Sequence, residues 1–148
     1  MKDRFLLVSK CLLNVMFFLG IPVTVSVPFF LKWYGSINVY YEKYYWPQTI
    51  MFLISGVFAC LIVSELRGMI KTVEDDDCFV LSNVLALKKM GDYAFIIAVV
   101  TFFRMFLYFT PGVLVVILVF VIAGLFSKVL SKVFARAVAY KQENDMTI

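Results

Sequence analysis

Histidine is absent from all 148 residues. Its absence excludes His-dependent triads, HExxH zinc sites and His-ligated haem. Cysteine is scarce: Cys11 and Cys60 fall in or beside apolar runs and Cys78 in a charged stretch, with no CxxC or Cys/His pairing. A disulfide framework and a structural zinc site are therefore not expected, and three reduced thiols are. No GxGxxG or P-loop occurs, and the acidic run Glu74 to Asp77 lacks the spaced ligands and glycine of a calcium loop. The sequence thus offers no catalytic residue, no metal site and no cofactor, and a non-enzymatic protein is expected.

Apolar residues fill the space left by these absences. They make up 63% of the chain, with 16 Phe, 8 Tyr and a mean hydropathy of +0.93, a composition found in bilayers rather than in soluble cores. A hydrocarbon core about 30 Å thick needs about 20 apolar residues per helix, so four helices use roughly 80 residues and leave only short connections. The expected fold is all-α: one polytopic domain with spans near 5–31, 48–68, 91–109 and 112–134. An outer loop over 32–47, a cytoplasmic loop over 69–90 and a tail over 135–148 complete it. The first span follows Lys2 and Arg4, but its apolar run is too long for a signal peptide and no clear small-x-small cleavage site follows, so it reads as a permanent helix.

Lys and Arg set the orientation. Lys2, Arg4, Lys10, Arg67, Lys71, Lys88, Lys89, Lys128, Lys132, Arg136 and Lys141 collect on one side, against Lys32 and Lys43 on the other. Both termini are expected in the cytoplasm of a multi-pass protein of the bacterial cell membrane. The formal charge of +4 reads as a topology signal that also attracts the lipid bilayer's anionic headgroups, with no direct nucleic-acid role.

Local features follow from the same chemistry. Pro22 predicts a bend in the first span, with neighbouring hydroxyls available to the freed carbonyls. Trp33, Tyr34, Tyr40, Tyr41, Tyr44, Tyr45 and Trp46 read as an interfacial belt, and Pro47 suits a helix N-terminus. Small residues recur every four positions at Gly56, Cys60 and Ser64 and at Ala123, Ser127, Ser131 and Ala135, a pattern for close packing in a compact four-helix bundle or between protomers of a homo-oligomer. The last helix, from Val113 to Lys141, is about 43 Å long and outruns the bilayer, carrying a basic edge at Lys128, Lys132 and Arg136 before a frayed polar tail. Arg104 is the one formal charge well inside a span. With a helix exit near Thr110 it lies about 9 Å deep, within snorkelling reach of the interface near Tyr108, or at an anion or gating site.

The stretch "VEDDDCFVLSNVLALKKMGDY" concentrates charge between the second and third spans. Its first part continues a helix with Leu66, Met69, Ile70 and Val73 on one face, the acidic run ends that helix, and Ser82 is the expected N-cap of the next. Phe79, Asn83, Leu87 with Lys88 and Lys89, and Gly91 then follow at four-residue intervals. This order resembles the turn "G-x-PF-x-x-x-N-x-x-x-L-x-x-x-G" of a family of uncharacterised bacterial four-helix membrane proteins, with Asp77 and Cys78 where the family shows a small residue and proline. The resemblance implies frequent genetic neighbourhood with a small Xre-type helix-turn-helix regulator, and no established activity. Phe79 and Asn83 stand one helical turn apart, so the ring is placed to pack on the bundle and the amide to satisfy the turn's backbone.

Two functional expectations result. In the first, the cytoplasmic face binds a regulator protein as a regulatory or sequestering subunit, through Asp75, Asp76, Asp77, Phe79 and Asn83 with Lys128, Lys132 and Arg136. In the alternative, the chain is a small transporter, channel-like or immunity protein acting through Arg104 and the bent first helix.

Overall fold

In hydrocarbon every backbone polar group must be satisfied within the chain, so long apolar runs of this kind become helices. A computed structural model describes residues 4–37, 39, 43–107 and 109–146. Among these, four long helices follow one another: α1 (Arg4–Gly35), α2 (Tyr45–Glu74), α3 (Leu81–Met105) and α4 (Pro111–Met146). Three of them, α1, α2 and α4, are long and apolar enough to cross a membrane. In α3 the charges Lys88, Lys89, Asp92 and Arg104 leave residues 93–103 as the longest uncharged run.

Burial singles out α3 in a different way. Val84, Leu87, Met90, Ala94, Ile97 and Thr101 are buried along it at steps of three and four, the stripe of a helix packed on both flanks. It lies between α2 and α4, while α1 packs on the far side of α2. Among the described residues no other pair of these helices meets, so they form an open row and not the compact bundle expected from the small-residue stripes. The connections after α2 and α3 are short, which makes sequence neighbours antiparallel partners but brings nothing to close α1 onto α4.

Small residues set the closest approaches within that row. A Cβ on Gly56 would stand 2.7 Å from Thr24, and one on Gly20 would stand 3.2 Å from Cys60 Sγ, which draws α1 and α2 together. Between α3 and α4, Gly124 faces the ring of Phe95 and Gly91 faces the aliphatic part of Lys128. Ser131 is buried and donates to the carbonyl of Val84 at 3.1 Å. Gly56, Cys60 and Ser131 thus serve packing inside one chain.

Several boundaries differ from the sequence reading. Much of the 69–90 connection is helical, as its amphipathic run and acidic stop implied: α2 runs to Glu74 and α3 starts at Leu81. Ser82 lies inside the first turn of α3; the cap is Val80, in extended conformation, whose carbonyl accepts from the amides of Asn83 and Val84. Helix α3 ends at Met105 rather than near Thr110, which places Arg104 in its last turn, where a cation complements the helix dipole. The polar tail is helical as far as Met146, so α4 is about 54 Å long at 1.5 Å per residue. Helix α1 continues through Pro22 and Pro28; the hydroxyls of Thr24 and Ser26 donate to Gly20 and Val23, not to the Phe18 and Thr24 carbonyls whose donors the prolines remove. Trp33 and Trp46 are exposed, whereas Tyr40, Tyr41 and Tyr108 lie outside the described residues.

Candidate functional site

The α2–α3 turn is built from its backbone outward. Helix α2 closes with the amide of Asp77 on the carbonyl of Thr72 and that of Asp76 on Val73, the paired bonds of a Schellman cap. Such a cap places its next residue in the left-handed region, and here that residue is Asp76, with φ of 55°. Aligned on Phe79, the glycine of the pattern quoted above falls on this position. Aspartate tolerates the left-handed region better than most side chains, but glycine does so without steric cost. Asp76→Gly is therefore expected to raise stability by about 1 kcal/mol, read as a shift in a denaturation midpoint, while Asp76→Val lowers it.

Asn83 fastens the turn from the other side. It is 3% exposed, and its amide nitrogen donates to Thr72 Oγ1 and to the Cys78 carbonyl, both at 2.7 Å. The Thr72 hydroxyl passes its own proton to the Met69 carbonyl at 2.6 Å. One side chain thereby joins the last turn of α2, the loop and the first turn of α3. Phe79 packs edge-on against Phe134 of α4 at 5.3 Å between ring centroids, and Asp77 pairs with Lys141. Two or more turns further along α3 and α4, Lys128 reaches Asp92 at 2.6 Å.

These contacts divide the residues singled out in the sequence. Asn83 is buried and Asp77, Phe79 and Lys128 are engaged between elements, while Asp75, Asp76, Lys132 and Arg136 are exposed. Exposed ion pairs contribute about 1 kcal/mol or less, so Asp77–Lys141 and Asp92–Lys128 align the elements more than they hold them. Phe79 remains 45% exposed, and beside it Leu81 and Leu85 are 63% and 48% exposed. Leu81, Leu85, Lys88, Lys89 and Asp92 share one face of α3 by their spacing. An apolar patch therefore stands among charges at this end of the row. Arg136 further along α4 lines a shallow cleft of about 310 Å³ with Tyr140 and Glu143.

Arg104 sits at the opposite end with its guanidinium 4.2 Å from the ring centroid of Phe52, across the α2–α3 interface. Stacking on an aromatic face is a favourable setting for this group. Nearby on α2, Gln48 and Thr49 are buried, and their side-chain polar atoms meet no partner among the described residues.

A further polar set lies on the α1–α2 seam and was not singled out in the sequence. Arg67 Nε donates to Asn14 Oδ1 at 2.9 Å, and its guanidinium lies 4.5 Å from the ring centroid of Phe17. Lys10 pairs with Glu74 at 2.9 Å. Asn14 stands alone in an apolar run, and that isolation is the signal that it needs a polar partner on another helix.

The model of a family described as "Protein of unknown function (DUF2975)" matches residues 35–148, which takes in α2, α3 and α4 and leaves almost all of α1 outside. No curated protein and no solved structure matches the chain.

Proposed function

The chain belongs to the DUF2975 family of proteins of unknown function, and on that premise we propose that it is a multi-pass protein of the bacterial plasma membrane that docks a soluble regulator on its cytoplasmic face. In this reading all four helices cross the bilayer with both termini inside, following the Lys and Arg distribution. The chain performs no chemistry of its own. It sequesters or positions a partner, which the resemblance noted in the sequence makes a small DNA-binding protein.

One observation carries this reading: Phe79, Leu81 and Leu85 are left exposed between the acidic run and Lys88 and Lys89, beyond the long uncharged run 93–103 of α3. An apolar centre with a charged rim is the anatomy of a protein interface. Asp75 and Asp76 supply an acidic rim on one side, and Lys132 and Arg136 supply basic groups on α4. Asn83 contributes by holding the turn that presents the patch.

Crosslinking in the native cell followed by mild-detergent purification tests the proposal. Reversing Asp75, Asp76 and Asp77 to Lys is expected to cut recovery of the soluble partner about tenfold. Because Asp77 also binds Lys141 and Asp76 also shapes the cap, Leu81→Glu with Leu85→Glu serves as a second variant that leaves the cap and that ion pair in place. Unchanged recovery in both variants would sink the docking reading. The transport alternative predicts instead that Arg104→Ala changes flux or resistance to a membrane-active compound, and the open row of helices means that a lined path would require a second copy of the chain.

A further inference from the structure

Two clefts lie end to end along the α1–α2 seam. The first, about 320 Å³, sits at the Lys- and Arg-rich end, and Lys10, Asn14, Arg67, Lys71 and Glu74 are among its walls. The second, about 370 Å³, begins one turn further along both helices and is lined mainly by apolar side chains, including Phe17, Ile21, Val25, Val57 and Leu61. Phe17 joins them: its ring lies under the Arg67 guanidinium and forms part of the apolar wall. The polar cleft is open beside Gly68, where a Cβ would meet nothing within 4 Å.

We infer that this seam is a binding site for one anionic phospholipid, its phosphate at Arg67 and Lys71 and an acyl chain in the apolar groove. The charge balance favours an anion. Glu74 is engaged with Lys10, at 2.9 and 3.1 Å through its two oxygens, which leaves Arg67 and Lys71 uncompensated among the described residues. Arg67 is also prepared for the task. Asn14 and the Phe17 ring fix its orientation, and Nε is its one bonded nitrogen among the described residues, so both terminal amino groups remain as a planar pair of donors. That geometry matches phosphate oxygens, and the bonds are charge-assisted. Orienting the guanidinium in advance also removes part of the entropy that binding would otherwise cost.

Length selects a lipid over a free phosphate. From Arg67 to Val57 is ten residues of helix, about 15 Å, or half of a hydrocarbon core about 30 Å thick. A polar cleft at the charged end with an apolar groove one leaflet deep is the outline of a phospholipid in that leaflet. The site also has a built-in asymmetry. One wall is α2, inside the matched family region, and the other is α1, almost wholly outside it and packed among the helices only on α2. A lipid in the seam bridges the two.

The test uses the full-length chain in nanodiscs of mixed phosphatidylglycerol and phosphatidylcholine, with bound lipid counted by native mass spectrometry after release into detergent. The wild-type protein is expected to retain phosphatidylglycerol about tenfold over phosphatidylcholine. Lys71→Gln, an exposed side chain with no bond to lose among the described residues, should reduce that preference severalfold, while Lys89→Gln on α3 leaves it unchanged. Leu61→Trp, which fills the groove and spares the cations, should lower retention of the lipid itself. Equal retention of the two lipids by wild-type protein overturns the proposal. So does displacement of the lipid by millimolar inorganic phosphate combined with an unaffected Leu61→Trp variant, since the cleft would then be a soluble-phosphate site.

Discussion

Asn83→Ala is expected to destabilise the protein by about 2–4 kcal/mol. The change removes both donors of a buried amide and strands two acceptors, Thr72 Oγ1 and the Cys78 carbonyl. The two lost bonds contribute about 1 kcal/mol each, and the part-buried Cys78 carbonyl left without a partner adds up to about 2 kcal/mol. Thr72→Val is the informative comparison, because it removes one acceptor and leaves the Cys78 bond in place; it should lose about 1 kcal/mol. Denaturation in a mixed detergent series, followed by near-UV circular dichroism, reads both. A loss under 1 kcal/mol for Asn83→Ala would show that the turn is held by other contacts, with Phe79–Phe134 as the first candidate.

Gly124→Leu is expected to have an effect of similar size for a different reason. Gly124 is buried, and even a bare Cβ there would come within 2.7 Å of the Phe95 ring, so a leucine forces α3 and α4 apart or drives Phe95 out of its rotamer. Overpacking of this kind costs about 1–3 kcal/mol. Phe95→Ala in the same chain should recover most of the loss, since it vacates the space the leucine needs. Gly68→Ala provides the control: nothing lies within 4 Å of its Cβ, and the gain in helix propensity should leave stability unchanged or raise it by up to about 1 kcal/mol. If Gly124→Leu and Gly68→Ala behaved alike, the close approach of α3 and α4 would be refuted.

The sequence announced the helices through composition and length, and it announced that α4 runs on past its apolar stretch through Lys128, Lys132 and Arg136. It also pointed to the end of α2, because four consecutive acidic residues cannot extend an apolar face. The cap of α3 was misread as Ser82 because a hydroxyl residue is the usual cap, whereas here an extended Val80 turns the chain and the polar work falls to Asn83. The row of helices was not legible. Four-residue spacing of small side chains shows that a helix packs closely but not on which neighbour, and the absence of an α1–α4 contact depends on angles that no local pattern encodes. The seam residues were missed for a similar reason: Asn14 and Arg67 are 53 positions apart, and only the pairing of α1 with α2 makes them one feature.

The ionic pairs also measure the protein against its solvent. Phe58 of α2 packs against Tyr93, next to Asp92, at 5.6 Å between ring centroids, whereas Lys10 meets Glu74 on the same helix. Those two levels are about 24 Å apart along α2 at 1.5 Å per residue. In the four-span arrangement proposed above, α1 therefore offers an uncharged length of about 32 Å between Lys10 and Lys32, and α3 only about 17 Å between Asp92 and Arg104. No single bilayer thickness suits both flanks. In that arrangement lipid thins beside α3 while staying at full depth beside α1, or the whole row leans, and each ångström of mismatch carries a small elastic cost. A change in bilayer thickness would then act unequally on the two flanks of the row.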